Sequence, residues 1–487
     1  MTLDLALSDP SLLREECLIG GDWITADDGT VRTVADPATG EAVGTVPNLG
    51  AGETARAIAA AEAALPAWRS LLAKERSNLL RRWFDLIIEH QEDVAKILTA
   101  EQGKPLREAR AEVVSGAAFI EWFAEEARRA YGDVIPSPAH DRRIIVIKQP
   151  VGVCAAITPW NFPNTIITRK AGAALAAGCT MIVRPASNTP FSALVLGELA
   201  QRAGIPAGVL NVITGDARAM GAELTSSPLV RKLSFTGSTH TGSTLMAQSA
   251  GTVKKLALEL GGNAPFIVFD DADIDAAVEG ALASKFRNVG QACVGANRFY
   301  VHDAVYDEFA SKLVERVRKL RVGPGIDPET TVGPLIDVAA VQKVESHIAD
   351  AVKKGAKVAI GGRRHALGRS FFEPTVLTEV PADAELATDE TFGPLAPLFR
   401  FNSEGELIAA ANNTEYGLAS YVYSRDIGRV WRVAEALETG MVGVNVGLMA
   451  SEVVPFGGIK QSGFGREGSS YGLEDYLDVK YICMGGL

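Results

Sequence analysis

Between Gly52 and about Arg129 the chain reads as helix. Ala- and Leu-rich stretches (Ala55 to Ala64, Leu79 to His90, Val94 to Glu101) are broken strongly only at Pro66 and at the Gly103-Lys-Pro turn. Before this, residues 1–50 place turn residues around short apolar pieces such as Ile19-Gly-Gly-Asp-Trp-Ile, which predicts short strands and loops. After it, Tyr131 to Pro150 forms two extended runs around a proline-rich turn, a protruding hairpin in which Ile144-Ile-Val-Ile needs a strand or a subunit to pair with. From Val151 to Thr236 strands and helices alternate: Val151 to Thr158, a helix after Pro163, Thr180 to Arg184, a helix around Ala193 to Ala203, Val209 to Thr214, a helix around Met220, and Lys232 to Thr236. Such alternation predicts a parallel sheet that binds ligands at the carboxyl ends of its strands. Further strands near Ala264 to Phe269, Arg298 to His302, Lys357 to Ile360 and Ala419 to Tyr423 predict a second α/β domain.

The segment that organises the rest is Phe286 to Asn297, F-R-N-V-G-Q-A-C-V-G-A-N. Ile274, Val278, Leu282 and Phe286 lie four apart, so an amphipathic helix runs into this segment and ends near Gly290. Cys293 then sits on a small-residue turn ahead of a strand, accessible to a substrate. A lone cysteine more often packs as a small hydrophobe. As a nucleophile it must lose its proton, which requires activating groups from elsewhere in the chain.

Candidate partners lie at strand ends. Asn161, in Thr158-Pro-Trp-Asn-Phe-Pro, reads as a helix cap with Pro163 at the first helical position, or as an oxyanion donor. Glu259, in Leu258-Glu-Leu-Gly-Gly-Asn, reads as a surface carboxylate, or as a base whose apolar setting raises its pKa. Phe235-Thr-Gly-Ser-Thr-His-Thr-Gly follows a strand and can open a helix toward a phosphate, although no full G-x-G-x-x-G is present. Val183-Arg-Pro-Ala-Ser brings a cation and a hydroxyl to the place of a nucleotide ribose.

Composition narrows the class. The 487 residues carry 48 basic and 59 acidic side chains, a net charge of -11, which argues against nucleic acid and anionic membranes as partners. No apolar run reaches membrane-spanning length, and the N-terminus lacks a basic leader. Five scattered cysteines and six scattered histidines, without C-x-x-C or helical i, i+4 spacing, predict a cytoplasmic protein with no metal site.

Taken together, P-W-N-F-P, F-T-G-S, L-E-L-G-G, G-Q-A-C, E-x-F-G-P (Glu390 to Pro394) and P-F-G-G-x-K-x-S-G (Pro455 to Gly463) occur in an order that resembles the aldehyde dehydrogenase superfamily. The I-T-R-K after the Asn motif, F-R-N-x-G-Q-x-C and the G-R-E-G-S-x-Y-G ending most resemble its succinate-semialdehyde dehydrogenases. The resemblance implies a Rossmann-like cofactor domain (1–130 and 148–258), an α/β catalytic domain (259–468) and a small β oligomerisation element (131–147 and 469–487) of a homodimer or homotetramer. It makes Cys293 the nucleophile, Asn161 the oxyanion donor and Glu259 the base for water, with Lys170 either tuning the local field or lying as a charge on a helix surface. It assigns cofactor contacts to Trp160, Ser187, Phe235, Gly237, Ser238, Leu260, Glu390 and Phe392. Arg184 stands where the family usually has Lys, and Ser187 replaces an acid that would repel a 2'-phosphate, so the reading is NADP or NAD with a lean to NADP.

For the substrate, the resemblance has Arg169 and Arg287 clamp a distal carboxylate, or else lie solvated or ion-paired. The family's substrate-contacting serine falls on Ala450, with Ser451 one residue later, and Gly295 excludes a C-x-C switch. Two rivals stand: a broad aliphatic or aromatic aldehyde dehydrogenase without the clamp, and an idle binding protein on the same fold. Retention of Glu259 argues against a CoA-acylating relative.

Overall fold

The computed structural model describes residues 3–486. Its first sheet has eight strands, in the order Asp22–Ile24, Cys17–Ile19, Leu210–Val212, Thr180–Arg184, Val153–Ile157, Val230–Thr236, Lys255–Glu259 and Gly463–Phe464. The five central strands are parallel and the outer ones antiparallel. Along the chain, strand order runs outward from Val153–Ile157 in one direction and then resumes on its other side. That reversal opens a crevice at the carboxyl ends. Both faces of this sheet are covered. Ala155, Ile182 and Leu233 belong to one apolar cluster, while Cys154, Ala156, Met181 and Val183 belong to another, which explains the unbroken apolar runs of these strands.

The second sheet has seven strands, in the order Lys357–Ile360, Thr375–Thr378, Leu395–Phe401, Ala296–His302, Ala264–Val268, Ala419–Tyr423 and Met441–Val444. All but the first are parallel. Helices Ile274–Lys285 and Tyr306–Val317 cover the face bearing Phe266, Val268, Phe299 and Tyr421, and Val338–Lys353 covers the other. Three of these strands, those starting at Thr375, Leu395 and Met441, were not in the sequence reading. They lie among turn-rich stretches whose alternation is short.

The hairpin is present as Asp133–Ile135 and Arg142–Pro150, and the C-terminal Leu477–Gly485 pairs with the full length of the second strand. The isoleucine run is therefore the centre of a three-stranded sheet, and its own chain's tail supplies the partner. Among the described residues no helix is long and apolar enough to cross a membrane.

Several boundaries differ from the sequence reading. Helix Ala51–Ser70 continues through Pro66, because Pro66 and Glu62, whose carbonyl loses its partner, both face solvent. Helix Thr165–Ala177 starts two residues beyond Pro163, and Asn164 rather than Asn161 is its cap residue. Gly463–Phe464 extends the first sheet, and Leu473 and Tyr476 pack into the first core, so the chain returns to the first sheet before 468. Strand Arg142–Pro150 runs unbroken across the expected 147/148 boundary.

Candidate active site

Helix Ile274–Lys285 ends with the Phe286 amide bonded to the Leu282 carbonyl. The chain then turns through Asn288 and Val289, both in the left-handed region with φ of 49° and 59°, which swings it into the inter-sheet cleft. Gln291 is pinned by the Ile336 amide at 2.9 Å, and Ala296 by the Ser284 hydroxyl at 3.0 Å. Cys293 is half-buried between these two anchors. A Cβ on Gly262 would come within 2.5 Å of the Cys293 carbonyl oxygen, so a glycine is required there for the two loops to meet.

The surroundings of the thiol hold its proton on. Burial pushes its pKa up to about 12, the Glu390, Glu259 and Glu467 carboxylates push the same way, and Arg169 opposes them. The direction is opposite to the one expected from helper groups, and burial is its first cause. Glu259, at the end of strand Lys255–Glu259, is fully buried, and neither carboxylate oxygen has a hydrogen-bond partner among the described residues. Its pKa lies well above the usual carboxylate range, through burial first and Glu467 second. It is not a surface carboxylate.

Asn161 follows strand Val153–Ile157 and is buried. Its Nδ2 donates to the Gln291 carbonyl at 3.1 Å, tying it to the cysteine loop and leaving one N–H of the amide free among the described residues. Lys170 is buried, donating to Ser234 Oγ at 2.9 Å and to Glu467, which rules out the helix-surface alternative.

A cavity of about 140 Å³ opens beside the thiol, lined among others by Cys293, Glu259, Phe162, Arg169, Arg287 and Glu467. Arg169 is held between the Phe119 and Phe456 rings, at 4.8 and 4.4 Å, with Glu467 at 3.8 Å. Arg287 lies over Phe162 at 4.9 Å and has no carboxylate partner within 4 Å among the described residues. Ala450 lines this cavity, but Ser451 does not. The Ser451 hydroxyl donates to Glu452 at 3.3 Å and accepts from the Val453 amide at 3.3 Å, which removes it from the substrate set.

The expected cofactor residues gather on the crevice side of the first sheet and the facing loop. Arg184 ends its strand, and its Nη2 donates to Ser187 Oγ at 3.0 Å. Its Nε is buried without a partner, and burial draws its pKa down to about 10. Phe235 lies near the end of strand Val230–Thr236. Its ring closes against Gly237, where a Cβ would meet it at 2.4 Å. Ser238 caps helix Thr239–Ser249 through the Thr241 amide. Leu260 packs on Gly242 of that helix, where a Cβ would meet it at 2.5 Å. Across the cleft, Trp160 meets Phe392 edge to face at 5.7 Å, and Glu390 accepts from the Gly262 amide at 3.3 Å. Burial raises the Glu390 pKa to about 8 and lowers that of Lys285 nearby to about 7. A capped helix start, a glycine at each close approach and an orphaned guanidinium N–H form an arrangement that fits a phosphorylated dinucleotide.

The family model described as Aldehyde dehydrogenase family matches residues 23–482. The chain belongs to the aldehyde dehydrogenase family. Among its curated relatives, the glutarate-semialdehyde dehydrogenase of Pseudomonas aeruginosa is 64% identical over 483 residues, covering 99% of this chain and 100% of the relative. The NADP(+) succinate-semialdehyde dehydrogenase of Escherichia coli K12 is 63% identical over 481 residues, with the same coverage. The crystal structure of succinate-semialdehyde dehydrogenase from Burkholderia pseudomallei superposes with a TM-score of 0.98 at 64% identity, covering 99% of this chain and 100% of that one. As an aldehyde dehydrogenase the chain is an oxidoreductase, and the two-sheet fold is that of the family.

Glu467 and Glu112 also line the cavity, with Lys104 behind it, and no motif singles them out: Glu467 lies within the ending motif and touches both Lys170 and Arg169, Lys104 lies in a turn and Glu112 in a helix. A lysine directly after a glycine turn carries no local sign of its burial, which rests on partners far along the chain.

Proposed function

We propose that this aldehyde dehydrogenase oxidises a small aldehyde carrying a distal carboxylate, succinate semialdehyde first and its one-carbon-longer homologue next, with NADP preferred over NAD. The observation that carries the reading is Arg287, a guanidinium lining the thiol's cavity with no carboxylate within 4 Å among the described residues. Together with Arg169 it offers a two-sided grip on an anion at the far end of a short chain. The names of the relatives point the same way.

In this reading the Cys293 sulfur adds to the aldehyde carbon and the thiol proton leaves to a base or water. The resulting oxyanion is held by the free N–H of the Asn161 amide and by the Cys293 backbone N–H. A bound nicotinamide would supply the acceptor for the hydride on that carbon, whose loss leaves a thioester on Cys293. Glu259, in its ionised form, draws a proton from water, whose oxygen attacks the thioester and releases the acid and the thiol. Arg184, Ser187, Gly237 and Ser238 would hold the dinucleotide phosphates and ribose, and Glu390, Phe392 and Trp160 its reactive end. Lys170, paired with Glu467, offsets the acids around the thiol.

The free state of all five cysteines accords with action in a reducing cytoplasm. The exposed apolar side chains of the three-stranded sheet (Val134, Val479, Tyr481 and Met484) support its use as a contact between copies, giving a dimer or tetramer. Sedimentation of the Tyr481→Lys/Val479→Lys variant as a smaller species than wild type tests that contact.

The decisive experiment compares kcat/KM for succinate semialdehyde, glutarate semialdehyde, butyraldehyde and benzaldehyde, each with NAD and NADP, in wild type and Arg287→Ala. Carboxylated aldehydes should win by roughly 10- to 100-fold and lose most of that margin in the variant. Victory of the uncharged aldehydes, unchanged in the variant, would leave a broad aldehyde dehydrogenase.

A further inference from the structure

Behind the Asn161 loop lies a buried polar cluster that the reaction as drawn does not use. Lys104, in the turn between helices Gln91–Gln102 and Leu106–Glu126, is 1% exposed. Its ammonium donates to the Asn161 backbone carbonyl at 2.7 Å and to Glu112 Oε2 at 2.5 Å, and it faces the Phe162 ring at 4.1 Å. Glu112 in turn accepts from the Asn164 and Thr165 amides, at 3.0 and 3.3 Å, and so caps the helix that follows. Every interaction of this ammonium therefore ends on residues 161–165, directly or through Glu112.

The same Asn161 carbonyl accepts from Asn288 Nδ2 at 2.8 Å, and that amide also donates to the Gln291 carbonyl at 3.2 Å. Asn288 is oriented by Gln102 Nε2, which donates to its Oδ1 at 3.0 Å, and the Lys104 amide donates to Gln102 Oε1 at 3.0 Å. Two donors from two different segments thus converge on one carbonyl, and one of them also grips the cysteine loop. The Asn161 side chain itself is weakly held, because its Oδ1 is buried without a partner. Its direction depends on the backbone that carries it.

We propose that Lys104 is a positioning residue which, with Glu112 and Asn288, fixes the Asn161 amide relative to the Cys293 loop. Stability alone gives no reason to retain a buried ion pair, since apolar residues of similar volume commonly do as well. Placement of a donor does give a reason, because an error on the order of 1 Å at a reacting centre costs roughly 100-fold. The inference rests on the reading of Asn161 as the oxyanion donor.

The test uses the full-length enzyme and five variants: Lys104→Met, Lys104→Met/Glu112→Gln, Asn288→Gly, Asn161→Ala and Lys104→Met/Asn161→Ala. The double variant is neutral and close in shape, and glycine accepts the left-handed φ at position 288. In the folded Lys104 and Asn288 variants kcat should fall about 10- to 100-fold, while KM for the aldehyde and the Kd for NADP stay within about twofold. The rapid first turnover of NADPH formation should slow by the same factor. Adding Lys104→Met to Asn161→Ala should cost nothing more, since the lysine acts through that amide. Normal kcat in any folded Lys104 variant, or a purely additive loss on the Asn161→Ala background, overturns the positioning role. Normal kcat in Asn161→Ala itself would instead overturn the oxyanion reading, which keeps the two failures apart.

Discussion

The ammonium of Lys170 and the carboxylate of Glu467 form a buried ion pair on the wall of the thiol's cavity, 297 residues apart in the chain. One end lies in the helix after the first parallel strand and the other in the segment that returns from the second domain. The pair therefore joins the two parts of the chain that enclose the reaction.

Breaking it from one side should be costly. Lys170→Met leaves Glu467 buried with only Arg169, at 3.8 Å, to offset it, and should cost about 3 to 5 kcal/mol in urea unfolding. Lys170→Met/Glu467→Gln should recover most of that loss. A single variant as stable as wild type would show the pair to be energetically idle.

Alkylation of Cys293 should keep accelerating through pH 9.5. With its pKa pushed up to about 12, only a small thiolate fraction exists at neutral pH, and that fraction grows about tenfold per pH unit until the pKa is approached. Iodoacetamide labelling of the Cys293 peptide in the apoenzyme, followed by mass spectrometry on a Cys483→Ser background to remove the exposed thiol, measures this. A plateau below pH 9 would mean that the thiol is activated before any ligand arrives. Because Glu259 is also raised, turnover should likewise increase from pH 7 toward alkaline pH.

Much of this arrangement is legible in the sequence, and what is not has definite causes. The alternation of apolar strands with helices gives the first parallel sheet, and Asn161, Arg184, Thr236 and Glu259 stand at or just beyond the carboxyl ends of its strands, along one edge. The charge state of Cys293 is not legible, since it depends on carboxylates at 259, 390 and 467 that only tertiary structure brings together. Lys104 escapes for the same reason, as nothing local shows that its partners are a carbonyl 57 residues away and a ring beside it. Ser451 does not stand in for the hydroxyl missing at Ala450, because its side chain is taken up by Glu452 and the Val453 amide, which a loop without periodicity does not reveal.

Glu390→Gln should stabilise the protein increasingly as pH rises. The folded carboxyl titrates at about 8 rather than 4.5, so between these values the native state holds a proton that the unfolded chain has released. Wild-type stability from this group is complete below about pH 4.5 and is lost as pH rises through 8. The glutamine copies the protonated form, so its advantage should be near zero at pH 4 and reach on the order of several kcal/mol at pH 8. Denaturant unfolding of both proteins across that range checks the sign. An advantage that shrinks with pH would contradict the burial of this side chain.

Ser187→Glu should turn the enzyme toward NAD. The serine accepts from Arg184 Nη2, and a carboxylate there would both bind that guanidinium and repel a 2'-phosphate. Steady-state kinetics should show kcat/KM with NADP falling by about tenfold or more and with NAD little changed, since 1.4 kcal/mol of repulsion is enough for a factor of ten. An equal loss with both cofactors would place Ser187 away from the ribose.

The pairing of strand Leu477–Gly485 with Arg142–Pro150 also has a consequence for how the protein is made. Ribosomal synthesis delivers Ile144-Ile-Val-Ile more than 300 residues before the strand that covers it. For most of translation this hydrophobic ribbon has one open hydrogen-bonding edge, the kind of surface that nascent chains lose to misassembly or to chaperones. The arm is therefore completed only once residues 477–485 have emerged, and deleting them should first be felt as a loss of yield in cells rather than as a loss of chemistry in the molecules that survive.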